Sequence, residues 1–510
     1  MLTIIRNGTI IDGLSTHQII GDVVVEDDRI HAINVQRNCQ YPMADYEIDA
    51  TGCLVTPGFI DSHSHSDAYL IIEPEAQSKI TQGITTEING QCGGSIAPRY
   101  GEARLSSDWA ANLGDKLAWR SLAEYRDALS LARPALNTIQ FIGHNTLRSS
   151  VIGYSGRRAN ADELRRMKCL LEESFEEGGW GLSTGLIYQP GKYASNEEVE
   201  LLVQTAAQHD RYYSTHMRSE GNRIEESIDE VLELVRKTGV KAEISHLKTS
   251  GKKNWVKIDA VLDKLQRAVD AGTLLGSDRY PYCAAATDLD VILPEWAQEG
   301  AAKAEMERLS SPSLRSKIIS ELNSEERDWN SIMVGGTWHS DNKQYCGKRI
   351  AEVANNNPGE FVCELLHKDG CKTGAFFFSM SEENLEKIYS RPWIVPGSDA
   401  SLRAPWGVLG DDHPHPRAYA TMPEFYRLTH SIKRMTSIPA KRFGIRDRGV
   451  IREGAYADIL VWKGDEFIAK ATYDKPHQFS AGMRCVMVNG VIAYKDGKFT
   501  GNRGGRFLER

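Results

Sequence analysis

Apolar positions along most of this chain arrive in two alternating textures. Short runs of aliphatic and β-branched residues are followed by longer stretches in which apolar residues recur every three or four positions. The first texture suits buried parallel strands and the second amphipathic helices, so their alternation predicts βα units. Eight runs qualify as strands: Leu54–His65, Ile84–Gly93, Thr138–Asn145, Gly181–Tyr188, Tyr212–Arg218, Ala242–Lys248, Leu274–Tyr282 and Trp393–Ala400. Helical spacing marks Ala161–Glu177, Asn196–His209, Arg223–Thr238 and Trp255–Ala271 between them. Eight such units predict an α/β fold, a closed (β/α)8 barrel of the TIM type.

The two ends of the chain have another texture. Residues 1–57 read as short strands joined at Asn7-Gly8, Asp12-Gly13 and Asp27-Asp28, and residues 448–510 repeat the pattern around Ala457–Trp462, Cys485–Val488, Asn489-Gly490 and Val491–Tyr494. One small β-sandwich built from both ends is expected to flank a catalytic barrel over 58–447. One connection breaks the rhythm. About 110 residues separate Tyr282 from Trp393, far more than a barrel loop needs. An insertion after strand seven, about 284–390, is expected there, with a helix near Leu314–Asn323 and strand-like Ser331–Val334, placed to cover a substrate.

Composition narrows the classes. The 510 residues are 41% hydrophobic and 25% charged, with a formal net charge of −8. Nothing basic invites nucleic acid, and no apolar run approaches the ~20 residues of a membrane span. The start, MLTIIRNGTIIDG, lacks the pattern of a secretion signal, and nine cysteines without tight pairing suit a reducing compartment. A cytoplasmic protein with a small-molecule substrate is expected, without nucleic-acid or membrane partners; an oligomer is possible.

The candidate chemistry lies at the strand ends, where barrels of this kind build their sites. Strand one ends in Asp61-Ser62-His63-Ser64-His65, and alternation puts both imidazoles on one face. The following ends carry Cys92, Asn145 (with His144 beside it), Tyr188, His216, His246, Tyr280 and Asp399. Imidazoles, a thiolate and a carboxylate suit zinc, which is borderline-soft and redox-inert. A catalytic zinc lowers the pKa of water, and Asp399 can take that proton and return it to a leaving group. Metal-assisted hydrolysis is the expected reaction. His17, His31, His209, His367, His430 and His477 are read as turn or surface residues without partners, and Glu225–Glu230 as a solvated helix face.

These residues resemble a known family. Pro57-Gly58-Phe59-Ile60-Asp61-Ser62-His63-Ser64-His65 and Ser398-Asp399 are similar to motifs of the amidohydrolase superfamily. Cys92, Gly181-Leu182-Ser183-Thr184-Gly185-Leu186-Ile187-Tyr188, Thr215-His216-Met217-Arg218, Ser245-His246-Leu247-Lys248, Tyr280-Pro281-Tyr282 and His415-Pro416-Arg417 resemble its N-acyl-D-amino-acid deacylase (D-aminoacylase) branch. The resemblance implies a tightly bound zinc on Cys92, His216 and His246. It implies a second, weaker site on His63, His65, Asp399 and the same cysteine. It further implies that Lys248, Tyr280 and Arg417 grip a substrate carboxylate while Tyr188 binds or polarises the scissile carbonyl. Tyr188 stands where many relatives carry a metal-bridging lysine, which weighs against the cyclic amidases. Three functions compete with deacylation: a cyclic-amidase activity (hydantoinase- or dihydroorotase-like), cleavage of dipeptides ending in a D-residue, and the role of a non-catalytic barrel. Ala400 after Ser398-Asp399, and Ala420-Thr421-Met422-Pro423 after the arginine, depart from the branch pattern near the expected substrate pocket.

Overall fold

The computed structural model describes residues 1–15, 17–34, 44–105, 107–114, 117–324 and 326–510. Eight parallel strands form its centre: Phe59–Asp61, Ile84–Asn89, Asn137–Gly143, Gly181–Gly185, Tyr212–His216, Lys241–Ile244, Leu275–Arg279 and Ile394–Pro396, each hydrogen-bonded to the next. Their residues are almost all buried, as a parallel sheet covered on both faces requires. Strand eight meets strand one just beyond the strand ends. Ser62 N–H donates to Pro396 O (3.1 Å), Asp399 N–H to His63 O (2.8 Å), and Ser64 bridges Ala400 in parallel. This seam closes the barrel.

The expected first strand, Leu54–His65, is two strands. Leu54–Pro57 pairs with Ile459–Trp462 in a nine-stranded sheet built from both chain ends, and only Phe59–Asp61 enters the barrel. The break falls at Gly58, where a Cβ would lie 2.0 Å from Thr85 Oγ1. No side chain fits where the strand crosses from one sheet to the other. The nine-stranded sheet encloses its own core, with Ile5, Val23, Val25 and Val55 from the N-terminal part meeting Ile459, Val461, Cys485 and Met487 from the C-terminal part.

After strand seven the chain builds a three-stranded antiparallel sheet, Ala285–Asp288, Gly374–Phe377 and Ile332–Val334, in that order. Helices such as Pro312–Ser324 and Pro358–Asp369 pack on it around Leu289, Ile318, Leu322, Val362 and Leu366. This body ends short of residue 390. Helix Glu382–Tyr389 carries Leu385, Ile388 and Tyr389 into the main core, so it belongs to the barrel wall. Among the described residues every cysteine is free, and no helix is long and apolar enough to cross a membrane.

Candidate metal centre

All ten residues singled out from the sequence lie at or just beyond the C-terminal ends of barrel strands, apart from Arg417, which opens the helix Arg417–Thr429. Cys92 stands in the middle. Its Sγ lies 3.4 Å from His63 Nε2, 3.7 Å from His216 Nδ1 and 3.3 Å from His246 Nε2. Asp399 Oδ1 is 3.1 Å from His65 Nε2 and 3.4 Å from His63 Nε2. Two overlapping clusters result, His63–His65–Cys92–Asp399 and Cys92–His216–His246, with the donor atoms of each within 4.8 Å of one another. Soft sulfur, imidazole nitrogen and one carboxylate at that spacing fit a zinc-like ion.

Backbone geometry aims these side chains. Cys92, His246 and Asp399 have φ of 53°, 37° and 48°, a region that few residues other than glycine enter. Cys92 also needs a close neighbour without a side chain: a Cβ on Gly185, which ends strand four, would lie 2.0 Å from the Cys92 carbonyl oxygen.

Buried partners orient the imidazoles from behind. Asp278 Oδ2 faces His63 Nδ1 at 3.2 Å, and its Oδ1 accepts the His246 backbone N–H at 3.0 Å. Glu220 lies 2.9 Å from His246 Nδ1 and 3.5 Å from His216 Nε2, and it pairs with Lys248. Carboxylates behind ligand imidazoles fix the ring nitrogen that faces the ion and raise its basicity. Beneath the seam, Lys79 is fully buried between Asp61 Oδ2 and Glu87 Oε1, both at 2.8 Å, and donates to Ser398 Oγ (2.9 Å) and Ala400 O (3.0 Å). Asp61 Oδ1 accepts the Ser398 N–H at 2.7 Å. The loop with His63 and His65 is thereby locked to the loop with Asp399.

Electrostatics agree with a cation cage. Burial pushes the Cys92 thiol up, but His63, His246 and His216 more than reverse it and hold the sulfur as a thiolate. Burial works against charging His65 and His246, yet Asp399 and Cys92 raise the first to about 9, and Glu220, Cys92 and Asp399 raise the second to about 10.

Beside the cage is a second, cationic cluster. Arg417 is buried, with its Cζ 4.4 Å above the Tyr280 ring; Arg279 lies 4.0 Å and Lys248 5.8 Å from the same ring. Burial would raise the Tyr280 hydroxyl, and these three cations lower it instead. Arg417 Nη1 stands 2.9 Å from Asp399 Oδ2, but its N–H is not directed at that oxygen, so the pair is held by charge. Arg417 Nε and Nη1 reach no hydrogen-bond acceptor among the described residues. Tyr188 packs edge-on against His216, with 4.8 Å between ring centres.

The family model described as "Amidohydrolase family" matches residues 46–307 and 379–494, passing over most of the insertion. The N-acyl-D-glutamate deacylase of Alcaligenes xylosoxydans xylosoxydans is 32% identical over 99% of this chain and 96% of its own. The chain belongs to the amidohydrolase family, in its D-aminoacylase branch. Two solved branch members superpose with a TM-score of 0.82 at 30% identity, covering 100% of this chain and 99% of theirs. One is a D-aminoacylase with a binuclear metal centre. The other is the N-acyl-D-glutamate deacylase of Bordetella bronchiseptica, complexed with zinc and a phosphonate inhibitor that mimics the tetrahedral intermediate of its reaction.

Some readings of the amidohydrolase sequence miss. Strand three ends at Gly143, and His144 and Asn145 open a helix; His144 Nε2 pairs with buried Glu198 at 2.8 Å, away from the cage. The histidines taken as partnerless are not all so. His477 bonds Asp412 O and Tyr419 Oη, His367 faces Ser310 Oγ at 3.1 Å, and His209 lies 3.4 Å from Glu172. Glu230 is no solvated face either, since it accepts from Arg218 Nε with both oxygens, at 3.0 and 3.1 Å. Sequence reasoning passed over Glu220, Asp278 and Lys79. Glu220 follows His216 by four residues and Asp278 precedes Tyr280 by two, so position relative to a ligand was the available signal.

Proposed function

We propose that this chain hydrolyses the amide bond of linear N-acyl-D-amino acids, releasing a carboxylate and a free D-amino acid. One observation carries the reading: a thiolate-centred metal cage shares its mouth with a buried guanidinium that has donors to spare, in a chain 32% identical end to end to an N-acyl-D-glutamate deacylase.

Zinc is the ion assigned to the cage, held tightly by Cys92, His216 and His246. His63, His65, Asp399 and the shared sulfur make a second, weaker site. When bound there, zinc supplies Lewis acidity and a nucleophile at neutral pH. The chain's own residues do the rest. Arg417 takes the substrate carboxylate through its undirected N–H groups, with Lys248 and Tyr280 completing the grip, as a planar guanidinium is shaped to do. Tyr188, kept neutral by burial and by the charges of Cys92 and Glu220, donates to the scissile carbonyl. The arriving carboxylate competes with Asp399 for Arg417 and so releases Asp399. Asp399 then accepts the proton of the attacking water as the C–O bond forms and the carbonyl electron pair moves onto its oxygen. When that carbonyl reforms the C–N bond breaks, and Asp399 delivers the proton to the departing amine. The same reading divides the chain into an end-sheet part, 1–57 with 448–510, and a catalytic part, 58–447.

The test is a panel of N-acetyl-D- and N-acetyl-L-amino acids offered to zinc-loaded protein. Turnover of D-forms is expected; no turnover of any of them with zinc bound, or equal turnover of L-forms, overturns the reading. Arg417→Met is expected to raise KM for carboxylate substrates by about ten- to a hundredfold, the worth of hydrogen bonds to a charged group.

A further inference from the structure

Arg417 recognises an anion only if it is aimed, and its aim is set from the far end of the chain. It opens the helix Arg417–Thr429 directly after His413-Pro414-His415-Pro416. His415 is buried between two prolines, and its Nδ1 accepts the backbone N–H of Arg417 at 3.1 Å. A ring nitrogen that accepts carries no hydrogen, so the imidazole hydrogen is on Nε2. There it meets Tyr473 Oη at 3.1 Å, and the phenol oxygen is the acceptor. Burial, with Arg417 nearby, disfavours the charged imidazole, in keeping with this tautomer.

The ring has no freedom to turn. Tyr282, Phe376 and Tyr473 each meet it edge-on, with ring centres 5.1, 5.1 and 5.0 Å away. Tyr473 lies in the connector between end-sheet strands Ile459–Trp462 and Met483–Val488. That connector reads the loop before Arg417 at further points. Tyr473 O accepts from His413 Nε2 (2.8 Å) and His477 Nε2 donates to Asp412 O (2.9 Å), while Ser480 Oγ donates to Tyr419 O (2.6 Å) in the helix that Arg417 opens. Tyr473 is half-buried, and a space-filling role at 473 would need only the ring, whereas its hydroxyl is engaged with His415.

We propose that His415 and Tyr473 are positioning residues for substrate recognition: the C-terminal connector orients His415 through Tyr473, and His415 fixes the turn that presents Arg417 to the substrate carboxylate. The inference deepens the function proposed above and rests on it for the role of Arg417.

Tyr473→Phe tests it, because the ring and its packing stay and one oxygen goes. Zinc content, thermal unfolding and kinetics are measured with an N-acetyl-D-amino acid and with its carboxamide, which lacks the carboxylate. KM for the acid is expected to rise about three- to tenfold, the worth of one hydrogen bond, at nearly constant kcat. Zinc content and kcat/KM for the carboxamide are expected to stay at wild-type values. In an Arg417→Met background the same change is expected to do nothing more, as coupled residues behave. His415→Asn, which keeps an acceptor for the Arg417 amide, is expected to lie closer to wild type than His415→Ala, and this comparison decides if Tyr473→Phe fails to fold. Equal losses on acid and carboxamide, or the same fold-change with and without Arg417, would mean a merely structural role and overturn the proposal. So would an unchanged KM for the acid. If Arg417→Met itself leaves KM unchanged, the carboxylate reading falls first; if it raises KM while Tyr473→Phe does not, only the positioning role falls.

Discussion

Three ligand candidates, Cys92, His246 and Asp399, hold left-handed backbone that costs on the order of 1–3 kcal/mol apiece. Such cost is tolerated where the surroundings over-determine the conformation, and here Lys79, Asp278 and Gly185 do so. Asp399 is the member whose two tasks can be separated. Asn tolerates its backbone conformation, keeps one oxygen near His65 and loses the base. Asp399→Asn is expected to retain zinc, read by metal analysis, while kcat falls by about 10²–10⁴. A rate near wild type would remove Asp399 from the proton transfer. Its partner Arg417 was legible from sequence only through a family motif, because its helix-first position and its charge pairing with Asp399 are facts of folding alone.

At the level of elements, strand ends are where sequence and structure meet best. An apolar run that stops at a histidine or cysteine announces both a strand and its functional end, and His63, Cys92, His216 and His246 all fell out of that pattern. The pattern fails where tertiary crowding decides. Gly58 splits an unbroken apolar run because Thr85 leaves no room for a side chain, and periodicity carries no trace of that contact. Glu220, Asp278 and Lys79 stayed hidden for a related reason: each is an unremarkable charged residue until folding sets it behind a ligand. His144 shows the converse, a strand-end histidine whose partner Glu198 lies 54 positions later in the chain. Gly185 is the sharpest element-level test. Gly185→Ala drives a methyl into the Cys92 carbonyl, and we expect zinc affinity at least about tenfold weaker, on the scale of losing a ligand's supporting contact. Equilibrium dialysis checks it, and unchanged affinity would show that the strand-two loop yields without cost.

The whole molecule couples metal, protons and stability. In the metal-free protein His65 and His246 hold protons up to about 9 and about 10, above the ordinary histidine value of 6.5. Groups raised on folding stabilise fully below their unfolded pKa, and the benefit disappears as pH climbs through the folded values. Metal-free protein is therefore expected to lose unfolding free energy between pH 6.5 and about 10. Zinc-loaded protein is expected to change far less over that window, since the ion has replaced the protons. Denaturant unfolding of both forms at several pH values reads the difference; parallel curves would refute the cage electrostatics.

The seam that closes the barrel has a consequence in time. His63 emerges from the ribosome early and Asp399 late, and the connector that disciplines Arg417 follows both. A nascent polypeptide, or one truncated before residue 473, thus holds all six ligand candidates but not the contacts proposed to aim Arg417. Tight recognition of the acid should therefore arrive with the connector rather than grow with length.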